Sequence, residues 1–345
     1  MRTTILAAIG ALTLTLTGPA AMAGSEDWTG GFIARDLAAN GHVIASEWGP
    51  AYGPTIDAIL ALGATGVGGS EAAAATSYIA DHIGDYVGAG DEKYSGATAK
   101  ALLLARVQTG SNTLGGVDLL SRLKTLETAS GRFSDQSQWG DYSNTLGHSY
   151  ALIALKKAGA ARSKASMDWL RLQQCPNGGF REEVAATACT DNVKSDPDAT
   201  ALAIEALYTA PSSTDRTSRI GRAAKYLISL QNSGGGIKGG PGQTPNANTT
   251  GLGALALKTA GKTTAAGKAR SFLRSIRLGC KFPKAVRGLI DYDKATFAAD
   301  SAAPASVQPD TTRRVATAQA GLGLAGVPMV KLVKPTTNAT PYTSC

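Results

Sequence analysis

An all-α fold, an (α/α)6 toroid of six helix-hairpin repeats, is what the sequence predicts, and three observations carry that expectation. A helix rich in Ala, Leu and Gly recurs along the chain and ends at a glycine or beside one. Each copy follows a more amphipathic helix and a polar or Gly-rich loop, so the repeating unit is a helix pair. Only the last copy looks atypical, whereas an open solenoid needs capping repeats at both ends. Six pairs closed in a ring leave no apolar edge uncovered.

The elements follow in chain order. Residues 1–23 read as an export signal: Arg2 is the basic start, "ILAAIGALTLTL" the apolar run, and "AMA" at 21–23 a small-x-small cleavage site. The run is too short, and too interrupted by Thr and Gly, for a membrane span. No Cys stands near the cleavage point to take a lipid, and no apolar tail closes the sequence. The mature chain is therefore expected to be secreted and soluble, with no integral membrane segment. Residues 24–332 are expected to form the toroid and 333–345 a tail.

Within it, "YGPTIDAILALGATG" (52–66), "YSGATAKALLLARVQTG" (94–110) and "SNTLGHSYALIALKKAG" (143–159) are the first three inner-helix copies. The fourth and fifth, "DPDATALAIEALYTA" (196–210) and "NANTTGLGALALKTA" (246–260), superpose Asp196 and Asp198 on Asn246 and Asn248, and Thr200 on Thr250. "PDTTRRVATAQAGLGLAG" (309–326) is the last. The copies recur at intervals of roughly 44 to 65 residues, with 281–309 reading as a loop insertion. The preceding helices also repeat, as "MDWLRLQQCPNGGF" (167–180) over "AKYLISLQNSGGGI" (224–237) shows. Their polar faces assign them to the outside; the small residues of the second helices demand close packing on several neighbours, hence the inside.

Four cysteines, Cys175, Cys189, Cys280 and Cys345, argue for disulfides in an exported chain and leave three connectivities open. Cys175 and Cys189 flank one loop and are the natural first pair, which leaves Cys280 to hold Cys345 against the body. The formal charge is +8, but Lys and Arg are scattered without an aromatic-interleaved run, so no nucleic-acid partner is expected.

The run "WLRLQQCPNGGF" followed by "DPDATA" resembles the terpenoid cyclase and protein prenyltransferase toroid superfamily. It is most similar to exported bacterial proteins with prenyltransferase or squalene-oxidase repeats. "QQCPNGGF" and "QNSGGGI" look like loose versions of the repeat of squalene cyclases. The resemblance implies the toroid fold; it does not fix a function, because toroids serve several.

Class II terpene cyclases carry D-x-D-D-T-A, whose middle Asp protonates an alkene or epoxide. Here the run is Asp196-Pro197-Asp198-Ala199-Thr200-Ala201, so the resemblance makes Asp198 the candidate acid, with Asp196 beside it. The third Asp is replaced by Ala199, which removes support for a strong neutral acid. Aromatics to face carbocations make up only 6% of the chain. Helix capping explains more: Asn144, Asp196/Asp198, Asn246/Asn248 and Asp310 all stand where an inner helix begins. A zinc prenyltransferase needs an Asp, a Cys two residues on and a later His. Cys189-Thr190-Asp191 is reversed, and His42, His82 and His148 all precede it, so no metal is expected. No nucleophile elbow or phosphate loop is present, and no cofactor is expected.

The remaining expectation is a ligand at the ring's mouth. Trp48, Tyr52 and Asp57 in "SEWGPAYGPTID", with Tyr94, His148, Asp198 and Asn248, are the candidate contacts. Asp57, Asp198 and Asp310 are candidates to meet there as paired carboxylates of the glycosidase kind. The sequence therefore favours an exported, non-catalytic toroid that binds a small or extended ligand or serves at the cell surface. The alternative is a terpene-cyclase-like enzyme using Asp198.

Overall fold

The computed structural model describes residues 27–240 and 242–342, so the expected export signal and Cys345 lie outside the described residues. Fourteen helices carry the fold among these residues: α1 (Asp27–Ala39), α2 (Tyr52–Thr65), α3 (Gly69–Asp81), α4 (Ile83–Val87), α5 (Ser95–Gln108), α6 (Leu119–Thr125), α7 (Thr145–Lys157), α8 (Lys164–Leu172), α9 (Pro197–Tyr208), α10 (Thr214–Ser229), α11 (Ala247–Thr259), α12 (Thr263–Ser275), α13 (Lys294–Ala302) and α14 (Thr311–Ala325). Strands among the described residues are confined to two-residue pairs in the connecting loops.

Six of these helices form a closed inner ring. Each of α2, α5, α7, α9 and α11 packs on the next, and α14 packs back on α2. The outer layer is α1, α3, α6, α8, α10 and α12, so the chain alternates outer and inner elements as the repeat pattern predicts. Burial separates the two sets. Every residue of α11 from Ala247 to Leu257 except Asn248 is buried, whereas α10 buries only the stripe Ile220, Ala223, Ala224, Tyr226 and Leu227.

Small residues let inner helices touch backbone to backbone. A Cβ on Gly251 would stand 2.5 Å from the Gln319 carbonyl oxygen, and one on Gly323 only 2.3 Å from that of Gly251. The neighbouring inner helices α11 and α14 thus meet backbone to backbone.

The repeated Gln and Gly have defined work between repeats. Gln174 donates to the carbonyls of Gly178 in its own turn and of Arg219 in the next outer helix; Gln231 does the same toward Gly235 and Ala265. Gly178 and Gly235 have φ of 94° and 92°, and a side chain there would strike the carbonyls of Arg222 and Lys268. The turn at Gly288 sits against Trp28 of α1 in the same way, which closes the outer layer. The repeated Thr is equally specific. The hydroxyls of Thr55, Thr200, Thr250 and Thr317 accept the N–H groups of Ile44, Phe180, Ile237 and Ile290, so each of these inner helices holds the loop that leads into it.

The 281–309 insertion corrects the sequence reading, since it contains α13. Asp293 accepts the Thr296 N–H at 2.8 Å and starts this helix. None of its residues is fully buried, so no apolar stripe announced it.

Cys175 and Cys189 are joined, 14 residues apart. Cys280 is disulfide-bonded as well, and its expected partner Cys345 falls outside the described residues. The segment before it lies on the body: Gly68 and Gly69 donate to the carbonyls of Ala339 and Thr337, and Arg35 to those of Thr340 and Pro341. Replacing Cys175 and Cys189 by Ser is expected to cost about 3 kcal/mol in the loop-entropy account, read by urea unfolding. A cost below about 1 kcal/mol would mean that Gln173 and Arg181, which both bond the Ala185 carbonyl, already hold that loop.

Candidate functional site

All six inner helices begin at the same end of the ring. Gly96 and Gly147, in the first turns of α5 and α7, touch; the Thr145 N–H reaches the Glu182 carbonyl; the Ala247 N–H reaches that of Tyr292; and Thr311 bonds the Ala45 carbonyl. This end is the mouth. Four helices are capped there by side chains: Asn144 accepts from Gly147, Asp196 from Ala199, Asn246 from Thr249 and Asp310 from Arg313, at 2.7 to 2.9 Å.

The caps divide each acid or amide pair. Asp196 and Asn246 hold the helix ends, but Asp198 and Asn248, two residues on, make no cap bond. The capping assignment is therefore corrected for the second member of each pair. Two residues past a cap, the helix turns the side chain inward to the lumen rather than back onto the free N–H groups. Asp196→Ala is expected to cost about 1 to 2 kcal/mol, and Asp196→Asn only tenths, because Asn caps as well as Asp. Thermal unfolding of the two variants checks this, and equal losses would refute the cap.

Inside the mouth every inner helix contributes one polar side chain. Asp57 of α2 pairs with Lys100 of α5 at 2.7 Å and accepts from Tyr150 of α7 and Gln319 of α14, both at 3.4 Å. Gln319 in turn accepts from the Asn248 amide of α11 at 3.2 Å. Asp198 of α9 completes the set. Burial, followed by the neighbouring Asp196 and then Glu182, pushes its carboxyl up to about 7, against a hydrogen bond from Thr249 that pulls it down. Asp57 is closed off by its partners. Asp198 Oδ1 and Asn248 Oδ1 are different: both are sealed from solvent, and neither receives a protein hydrogen bond.

These two residues line a cavity of about 440 Å³ with Gln243, Tyr292, Thr311 and Thr312. A second cavity of about 400 Å³ adjoins it, sharing Gly239 and Gln243 and lined by Glu182, Glu183, Val193 and Asp196. Burial and Asp196 push Glu182 upward too, and burial does the same to Asp196. A further space of about 400 Å³ lies between α10 and α12, but none of its lining residues has a sealed, unpartnered polar atom.

The other sequence candidates scatter. Trp48 projects into solvent. Tyr52 bonds Asp85 at the rim and Tyr94 bonds Glu92. Asp310 caps α14 and pairs with Arg313, so it does not join Asp57 and Asp198. His148 is corrected as a mouth residue. It turns away from the lumen, with Nε2 2.9 Å from the Ser166 carbonyl of α8 and its ring against Phe133, and burial pushes its pKa down to about 4.

Lys100, Tyr150 and Gln319 were missed. A signal existed for two of them: Asp57, Lys100 and Tyr150 are each the sixth residue of their helices, a polar position repeated inside apolar sequence. Comparing inner helices position by position would have found it.

No protein-family model matches the chain, and no curated protein matches it. Solved structures do. A protein from Actinoplanes is similar at TM-score 0.55 and 16% identity, over 87% of this chain and 100% of that one. The unsaturated glucuronyl hydrolase of Bacillus sp. GL1 is similar at TM-score 0.56 and 10% identity, over 86% and 95% of the two chains. The type II terpene cyclase MstE of Scytonema, in its apo form, is similar at TM-score 0.52 and 14% identity, over 87% of each chain. At these identities the likeness shows the fold alone, an α/α toroid.

Proposed function

We propose that this chain is an exported toroid that holds a small or extended polar ligand at its mouth without transforming it. The observation that carries this reading is that Asp198 and Asn248, whose Oδ1 atoms have no protein donor, line a cavity of about 440 Å³. A buried acceptor without a donor is costly, and a ligand bearing hydroxyl or amino groups removes that cost. The surrounding Gln243, Asn246 and Thr311 offer the convergent polar groups of a binding site. The signal-like pattern of residues 1–23 and the disulfide support an extracellular setting; no described helix is long and apolar enough to cross a membrane.

One observation favours the enzymatic alternative: a carboxyl near 7 is largely neutral at mildly acid pH, as a proton donor must be. The same shift makes Asp198 a weak acid, and protonating a hydrocarbon needs a strong one. The lining has one aromatic, Tyr292, where a cation-guiding cavity needs several. A single experiment separates the readings. Native mass spectrometry of protein purified from its own host is expected to show a retained polar molecule that Asp198→Asn loses. Cyclisation of a polyprenyl substrate by the native protein, abolished in Asp198→Asn, would overturn the non-catalytic reading.

A further inference from the structure

Three of the largest apolar side chains left in water belong to the mouth. Trp48 is 89% exposed, Trp139 70% and Tyr142 75%. Trp48 sits in the 45–50 hairpin that leads into α2, and Trp139 and Tyr142 in the segment that leads into α7. A Trp held in water forgoes one of the largest burial gains any side chain offers, so three aromatics on one rim ask for a partner.

Their supports are fixed. The Ser46 hydroxyl bonds the Gly49 carbonyl and accepts the Trp48 N–H, while Thr311 grips the Ala45 carbonyl. On the other loop, Asp141 accepts the N–H groups of Asp135 and Ser143 and pairs with Arg132 at 2.9 Å, and Glu92 accepts the Gln138 N–H. The rings are thus presented on ordered backbone rather than left on slack chain.

Each aromatic loop is joined to a residue that lines one of the two mouth cavities. Thr311 lines one and bonds the Trp48 hairpin; Glu182 lines the other and bonds the start of α7, three residues after Tyr142. The floor of the two cavities is carboxylate, amide and hydroxyl: Glu182, Asp196, Asp198, Gln243 and Asn248 with Thr311.

We infer that the ligand is a glycan chain free of acidic groups, laid across the mouth with sugar rings against Trp48, Trp139 and Tyr142. This rests on the mouth-binding reading above and names its ligand class. A pyranose has an apolar C–H face that packs on an aromatic ring and an edge of hydroxyls that donate to carboxylate and amide oxygens. Aromatics on the rim and a polar floor match that division. Two adjoining cavities call for several sugars rather than one. The carboxylates exclude anionic chains, because Glu182, Asp196 and Asp198 already disfavour each other's charge. A polyprenyl chain or a lipid surface finds no apolar floor here.

The test is binding of the full mature protein to a panel of neutral and amino glycans (cellulose, chitin, chitosan, starch and β-1,3-glucan oligomers), with alginate, hyaluronan and anionic lipid vesicles alongside. At least one neutral or amino glycan is expected to bind. Trp48→Ala/Trp139→Ala, both on the surface, is expected to weaken it roughly tenfold or more with an unchanged melting curve. Binding to anionic glycans or vesicles alone, no binding across the panel, or an unaffected double variant would overturn the inference. A small polar molecule retained in native mass spectrometry beside a silent glycan panel would remove the glycan and leave the mouth-binding reading standing. Failure of both would remove the mouth as a site.

Discussion

Asp198→Asn is expected to stabilise the ligand-free protein by about 2 kcal/mol at pH 8 and to change it little at pH 4. The unfolded chain ionises this carboxyl near 3.8, while the folded chain keeps the proton to about 7. Between those values the folded state binds the extra proton, so stability falls as pH rises, and above about pH 7 the whole penalty is present. The span corresponds to a ceiling of about 4 kcal/mol, which relaxation of the protein around the buried charge reduces by about half. Asn keeps the shape and removes the charge. Chemical denaturation at the two pH values checks the prediction; destabilisation at pH 8, or equal effects at both, would mean that the hydrogen bond from Thr249 outweighs the cost of burying the carboxylate. A stability gain on removing a charge is the mark of a group kept for binding rather than for folding.

Glu205 follows the same sign. It lies at the far end of the ring, where it accepts the Met329 N–H, and burial pushes it up to about 7. Buried Asp291, raised by burial and by Asp300, adds to it. His148 runs the other way: its pKa is lowered, so stability drops as pH falls from 6.5 toward about 4. The raised acids therefore favour the acid side of neutral, and the imidazole opposes them as the pH falls below 6.5.

Gly251→Ala is expected to destabilise by about 3 kcal/mol or more, although Ala is the better helix former by about 1 kcal/mol. The added methyl would stand 2.5 Å from the Gln319 carbonyl oxygen and 2.7 Å from the Ala320 nitrogen. Both are backbone atoms of α14, so neither can swing aside, and the inner ring would have to open between α11 and α14. Gly267→Ala is the control. It sits in outer helix α12 with nothing within 4 Å of the new methyl, and is expected to stabilise by about 0.5 to 1 kcal/mol. Paired thermal melts decide the matter. A mild Gly251→Ala would show that α11 and α14 do not meet as closely as the ring requires.

The inner and outer helix classes, their number and their order were legible because each class repeats its composition, and burial follows composition. The first loop disulfide was legible because Cys175 and Cys189 bracket a single turn. The sequence also marked Asp198 and Asn248 as special, through the position they share between repeats. Their division from Asp196 and Asn246 was not legible, because a helix start accepts Asp or Asn at either place and only the backbone direction decides which one caps. His148 was misplaced for a related reason. A polar residue one turn into a helix buried on all sides has no amphipathic face to say whether it looks to the lumen or to the outer layer, and the Ser166 carbonyl settled it.

The sequence by itself therefore determined what repeats locally: helix type, helix order and the glycine turns. The tertiary structure alone decided the site, because Asp57, Lys100, Tyr150, Asp198, Asn248 and Gln319 come from six helices spread along the chain. Ring closure brings them to one mouth, and no local pattern encodes the separation between repeats that meet only when the last helix packs on the first.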